Sequence, residues 1–74
     1  MTSHQLTLQP HQQRAIDEKE ALDKKITALG NFIGESPFFK RVDPAEQGLM
    51  MEQLRAMRVY SEILGERIAA FLKV

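Results

Sequence analysis

The sequence predicts an all-α fold: an antiparallel two-helix hairpin with a short connecting turn, oligomerising into a helical bundle or ring. Three observations carry this expectation. Apolar residues recur at three-to-four spacing through both halves of the chain, and a nine-residue stretch bearing glycine and proline separates the halves. The second half also opens on a strong helix-start signal, Asp43-Pro44-Ala45-Glu46.

Length explains why association is expected. The chain has 74 residues, enough for one domain. A core of that size rarely supplies more than about 3–5 kcal/mol, so small folds add disulfides, a metal or partner subunits. Cysteine is absent, which removes disulfides and thiolate metal sites and fits a reducing cytosol. The two histidines, His4 and His11, lack metal-ligand spacing. No metal or cofactor is expected, and subunit association is the remaining supplement.

The first element is read as follows. Residues 1–9 are expected to form a flexible N-terminus, because MTSHQLTL carries no strong period. Thr7 is a candidate N-cap, and Pro10 falls in the first turn, where a missing N–H costs nothing. Ala15, Leu22, Ile26, Leu29 and Ile33 then follow helical spacing, with Glu18 or Lys19 filling the gap in the stripe. Gly34 is the expected stop. Helix 1 is thus placed over residues 10–33, about 36 Å at 1.5 Å per residue.

Residues 34–42, GESPFFKRV, form the connection, and Ser36-Pro37 can start one short turn that tucks Phe38 and Phe39 under the hairpin tip. Asp43 as N-cap, proline at N1 and Glu46 at N3 then open helix 2. A seam follows through Gln47, Met50, Leu54, Met57, Ser61, Leu64, Ile68 and Phe71, a strict heptad pattern. Helix 2 is placed over residues 44–72, about 43 Å long. Gly65 is its interior blemish, either a site of close helix approach or a tolerated defect. Residues 10–74 form the single hairpin domain.

Two helices joined by nine residues lie antiparallel. Helix 2 carries more apolar surface than helix 1 can cover, including Met50, Met51, Val59 and Ile63. A homo-oligomer, dimer or higher, is the expected closure.

Charge narrows the partners. Ten Lys/Arg balance ten Asp/Glu, so broad electrostatic capture of DNA or RNA is not expected. No apolar run approaches the length of a membrane span, and the N-terminus is too polar for a signal peptide. No membrane partner is expected, and the expected location is the cytoplasm.

An antiparallel hairpin centred near residue 38 places Arg14 near Glu62, Ala15 near Ser61 and His11 near Gly65. His11, Gln12, Arg14, Glu18, Tyr60, Ser61 and Arg67 then gather toward the open end. Ser61 is a small polar residue in an otherwise apolar stretch of the seam, an inconsistency of the kind that marks function or a satisfied buried bond. One reading is an anion or nucleotide pocket. The helix 1 N-terminus favours phosphate, and Arg14 and Arg67 can hold it bidentately. Tyr60 or His11 can stack on a base, and Gln12 or Ser61 can read its edge. Lys25, beside the stripe of helix 1, can reach inward across a dimer interface. A purely structural reading covers the same residues: Arg14 pairs with Glu18 or Glu62, Ser61 bonds back to its own helix, and Lys25 snorkels to water. Catalysis finds no support in a triad, a glycine-rich phosphate loop or a cysteine nucleophile. The chain is not expected to be an enzyme.

The stretches PHQQRAIDEKEALDKKITALGNFI and EQGLMMEQLRAMRVYSEILGERIAAF resemble a family of small phage and prophage proteins related to a crAss-like phage protein. The resemblance covers nearly all of the chain beyond residue 8 and is most specific in the PHQQR and YSEIL blocks. It departs in the first eight residues and in the basic loop PFFKR. In size and hairpin form that family is similar to the helical hairpin domain of phage anti-CBASS and anti-Thoeris sponges. Those are oligomers of short helical subunits that bind cyclic nucleotides or cyclic ADP-ribose-type signals without cleaving them. The resemblance therefore implies a phage-encoded, non-enzymatic sponge with a nucleotide-type ligand, acting in the cytoplasm of the infected bacterium. His11, Gln12, Arg14, Tyr60, Ser61 and Arg67 fall on matching positions, and Lys25 matches the second lysine of the LDKKI block. The alternative is a protein-binding module that lays the Met-rich face of helix 2 into a host protein.

Overall fold

The structure, a computed structural model, describes residues 7–72. Two long helices pack side by side and antiparallel: α1 spans Pro10–Glu35 and α2 spans Pro44–Leu72, joined through a 3-10 turn at Pro37–Arg41. The result is a rod of 57 × 19 × 17 Å. Of the expected flexible start, residues 7–9 are non-helical, while residues 1–6 lie outside the described residues.

Capping fixes where α1 begins. Gln9, not Thr7, is the N-cap, and its carbonyl accepts the N–H groups of Gln12 and Gln13 at 2.9 and 3.0 Å. The Gln12 side chain folds back and accepts the Gln9 N–H at 2.8 Å. Pro10 occupies the first turn, where its missing N–H leaves no bond unmade.

The other end of α1 departs from expectation. The helix runs through Gly34 to Glu35, and the Ser36 N–H closes it on the Phe32 carbonyl at 3.2 Å. No described glycine adopts a positive φ, so Gly34 continues the helix instead of turning the chain out of it.

Three polar side chains then organise the connection. Ser36 Oγ accepts the Phe38 N–H at 3.2 Å. The Asp43 carboxylate accepts the Ala45 N–H at 3.1 Å and caps α2 as its position predicts. Gln47, first residue of the seam, donates from Nε2 to the carbonyls of Phe39 (3.0 Å) and Val42 (2.7 Å), tying the turn to α2. The adjacent phenylalanines part company. Phe39 meets Phe32 edge-on at 6.0 Å and closes the core end. Phe38 is exposed, with the Arg41 guanidinium 5.7 Å from its ring centroid, so one of the pair caps the core and the other does not.

The heptad seam of α2 faces α1 along its whole length. Leu54, Ser61 and Leu64 are buried, and Gln47, Met50, Met57, Ile68 and Phe71 are half-buried. From α1, Ala15 is buried, and Leu22, Ile26, Leu29 and Ile33 are half-buried. Lys19, not Glu18, fills the gap in the stripe. The register differs from the symmetric estimate. Ser61 faces Lys19 and Asp23 rather than Ala15, and Gly65 sits against Lys19 rather than near His11. The 3-10 turn stands where Ser36-Pro37 predicted a short turn, but α1 runs two residues further than expected, which moves the hairpin centre toward the C-terminus.

Gly65 resolves as a tolerated position with a use. A Cβ built there lies 3.5 Å from Lys19 Cε, an ordinary contact, so glycine leaves room for the lysine stem without being required. Gly65→Ala is expected to stabilise the fold by up to about 1 kcal/mol, the helix-propensity difference. Leu64→Ala, at the one fully buried large side chain among the described residues, is expected to cost about 3 kcal/mol. Urea denaturation followed by circular dichroism measures both.

Candidate functional site

Ser61 is where the seam turns polar, and the reason lies across the interface. Lys19 Nζ donates to Ser61 Oγ at 2.7 Å and to Asp23 Oδ2 at 3.1 Å, and the Ser61 hydroxyl donates to Asp23 Oδ1 at 2.5 Å. Helical spacing sets up half of this ring, because Lys19 and Asp23 stand four apart on α1. Ser61 is the partner α2 supplies, and its small side chain leaves space for two longer ones. The bond crosses to the other helix instead of returning to the Ser61 backbone.

Electrostatically the ring is closed. The Ser61 hydroxyl, and after it the Lys19 ammonium, hold the Asp23 carboxyl below the ordinary carboxylate range. Lys19 and Asp23 neutralise one another, and Ser61 has its proton and one lone pair engaged. One residue earlier on α2, at the surface, the Tyr60 hydroxyl donates to the Glu18 carboxylate. Three inter-helix hydrogen bonds thus join Glu18, Lys19 and Asp23 of α1 to Tyr60 and Ser61 of α2.

The remaining predicted site residues lie elsewhere. His11 and Arg14 are exposed near the start of α1, Gln12 is held in the helix cap, and Arg67 is exposed near the end of α2. Antiparallel packing puts these four toward the same open end of the rod. Among the described residues the ion pairs are Lys19–Asp23 and Glu52–Arg55, which leaves Arg14 and Arg67 without a carboxylate partner. The first turn of α1 carries no acidic residue of its own to offset its positive dipole end. Tyr60 and Ser61 belong instead to the level of Lys19, about 12 Å along α1 from His11. Lys25 is exposed, about 21 Å along the helix from His11. One chain therefore brings His11, Gln12, Arg14 and Arg67 to one end, and holds Tyr60 and Ser61 as a separate group, with Lys25 apart from both.

Grooves on the rod are shallow and belong to single helices. One of about 430 Å³ lies over Glu20, Asp23, Lys24 and Thr27 of α1. Another of about 400 Å³ lies over Glu66, Ala69, Ala70 and Leu72 of α2, beside Arg67. Sequence reasoning missed Asp23 and assigned Lys19 only to the stripe. The available signal was the i,i+4 pairing of lysine and aspartate on the inward side of α1 opposite a lone seam serine.

With both helices and their polar contacts placed, similarity to known proteins adds the decisive observation. The sequence pattern of the Sequestin family matches residues 9–70, from the cap of α1 through the turn to the end of α2. The chain belongs to the Sequestin family. The family name suggests a sequestering protein, and the matched segment spans both helices and the turn between them. No curated protein and no solved structure matches the chain.

The ring makes two expectations. Ser61→Ala removes the group that joins Lys19 and Asp23 across the seam and should cost about 1–2 kcal/mol in urea denaturation at pH 7. The folded Asp23 value lies below the unfolded one, so the stabilisation is complete above the unfolded value. It declines as pH falls through about 4 and toward the folded value. Between pH 5 and pH 3 the urea midpoint of the wild type should therefore fall more steeply than that of Asp23→Asn. Parallel slopes would exclude a role for this carboxyl in acid stability.

Proposed function

We propose that the chain is a phage-encoded, non-enzymatic sponge. It binds a nucleotide immune signal, a cyclic oligonucleotide or a cyclic ADP-ribose-type molecule, and withholds it from host anti-phage defence. The observation that carries this reading is membership of the Sequestin family across residues 9–70. The chemistry of the open end supports it. Among the described residues Arg14 and Arg67 make no ion pair, and the α1 N-terminus lies toward the same end with His11 and Gln12. These groups suit phosphate and base-edge contacts, and the zero net charge keeps recognition local rather than polyanionic.

Sequestration asks for affinity without turnover. The shallow single-helix grooves fit a pocket completed between copies of the chain, in a homo-oligomer that places Lys25 or Tyr60 of one copy near the open end of another. Among the described residues no helix is long and apolar enough to cross a membrane, consistent with action in the cytoplasm of the infected bacterium. The alternative of a host-protein adaptor using the methionine face has less to stand on. Met50 and Met57 are half-buried in the seam, which leaves Met51 as the exposed methionine of that group.

Isothermal titration against cyclic di- and trinucleotides and cyclic ADP-ribose isomers tests the reading. Binding of at least one ligand is expected, with the ligand recovered chemically intact after heat denaturation of the protein. Arg14→Ala and Arg67→Ala should each weaken binding about tenfold or more while helicity is unchanged. No binding across the panel, or recovery of a cleaved product, would overturn it.

A further inference from the structure

Arg14 has two carboxylates within helical reach, Asp17 three residues on and Glu18 four residues on. Either spacing sets the side chains side by side on the helix surface, where opposite charges ordinarily pair. Neither pair forms. The ion pairs among the described residues are Lys19–Asp23 and Glu52–Arg55.

Each carboxylate is held instead by a neutral donor. Gln13 donates from Nε2 to Asp17 Oδ1 at 3.0 Å, within α1. The Tyr60 hydroxyl donates to the Glu18 carboxylate from α2. Tyr60 precedes Ser61, which the polar ring pins to Lys19 and Asp23, so the phenol reaches Glu18 from a fixed level. Two different donors, from two helices, thus act on two different carboxylates with one result. The exposed Arg14 guanidinium keeps its planar set of N–H donors unclaimed by either neighbour.

The choice of an amide and a phenol has a consequence for charge. A second cation at either place would hold the carboxylate equally well, but it would also compete with Arg14 for an incoming anion. A neutral donor fixes the carboxylate and adds no rival. Arginine suits a phosphate group because its N–H fork can engage two oxygens at once, and pairing with a carboxylate would occupy the same fork.

We propose that Gln13 and Tyr60 are positioning residues for anion binding: by holding Asp17 and Glu18 they keep the Arg14 guanidinium unpaired and ready for a phosphate group. The inference deepens the sponge reading and rests on it for the biological ligand. The probe that tests it is inorganic pyrophosphate, so failure at Arg14 and failure of the nucleotide panel are distinguishable.

Pyrophosphate titrated into the full chain should give a saturable shift of the Arg14 Nε–H resonance in nitrogen-edited NMR. Tyr60→Phe frees Glu18 to pair with Arg14 and should raise the pyrophosphate dissociation constant about three- to tenfold, most at low salt. Adding Glu18→Gln to Tyr60→Phe should bring the constant back to within about twofold of wild type, as expected of coupled sites. A phenol that served by touching the anion directly would not be rescued in this way. Gln13→Ala and Gln13→Ala with Asp17→Asn form an independent cycle within α1, weakened and then restored, with helicity by circular dichroism retained. No saturable shift at Arg14, an unchanged constant in Tyr60→Phe and Gln13→Ala, or a loss that Glu18→Gln does not restore would each overturn the proposal.

Discussion

Two helices laid side by side can shield only one stripe of each other, and most of this molecule follows from that geometry. Every large apolar residue that α1 and α2 bury must come from a single seam. Full burial is confined to Ala15, Leu54, Ser61 and Leu64 among the described residues. The interaction that must not fail is the close packing of Leu54 and Leu64 against α1, because no second layer stands behind it. The turn reinforces it at one end, where Phe39 packs on Phe32 and Gln47 grips two carbonyls of the connection.

A seam of leucine and methionine alone specifies register poorly, since sliding one helix by a turn exchanges one apolar contact for another. The Lys19–Asp23–Ser61 ring removes that freedom. It is satisfied at one alignment of the helices, and displacement by a turn would strand a buried hydroxyl at a cost of about 1–3 kcal/mol. Gly65 lies against the Lys19 stem on the same stretch of the seam. Tyr60 and Glu18 repeat the register at the surface. These residues are best understood as the means by which the hairpin holds its alignment. At the open end, Arg14 and Arg67 make no ion pair among the described residues.

That division gives the hairpin a plain economy of parts. The connection end is closed by an aromatic pair and a glutamine clamp, the middle is aligned by a polar ring, and the far end presents cations around a helix N-terminus. The same thin rod leaves a long apolar stripe on the outside of α2. Grooves confined to one helix offer a ligand little enclosure.

The sequence by itself determined the two helices, the start of α2 to the residue, the seam from Gln47 to Phe71 and the excess of apolar surface. Each of these is a local or periodic property: a proline after an aspartate, a three-four repeat, a count of leucines and methionines. It also marked Ser61 as out of place. What it could not determine was the partner that Ser61 would meet, because register depends on where α1 ends, and Gly34 does not reveal its φ in advance. Two further residues of α1, with the 3-10 turn after it, moved Ser61 from Ala15 to Lys19 and Asp23. Only the tertiary structure, by fixing that alignment, separated Tyr60 and Ser61 from the open-end group of His11, Gln12, Arg14 and Arg67.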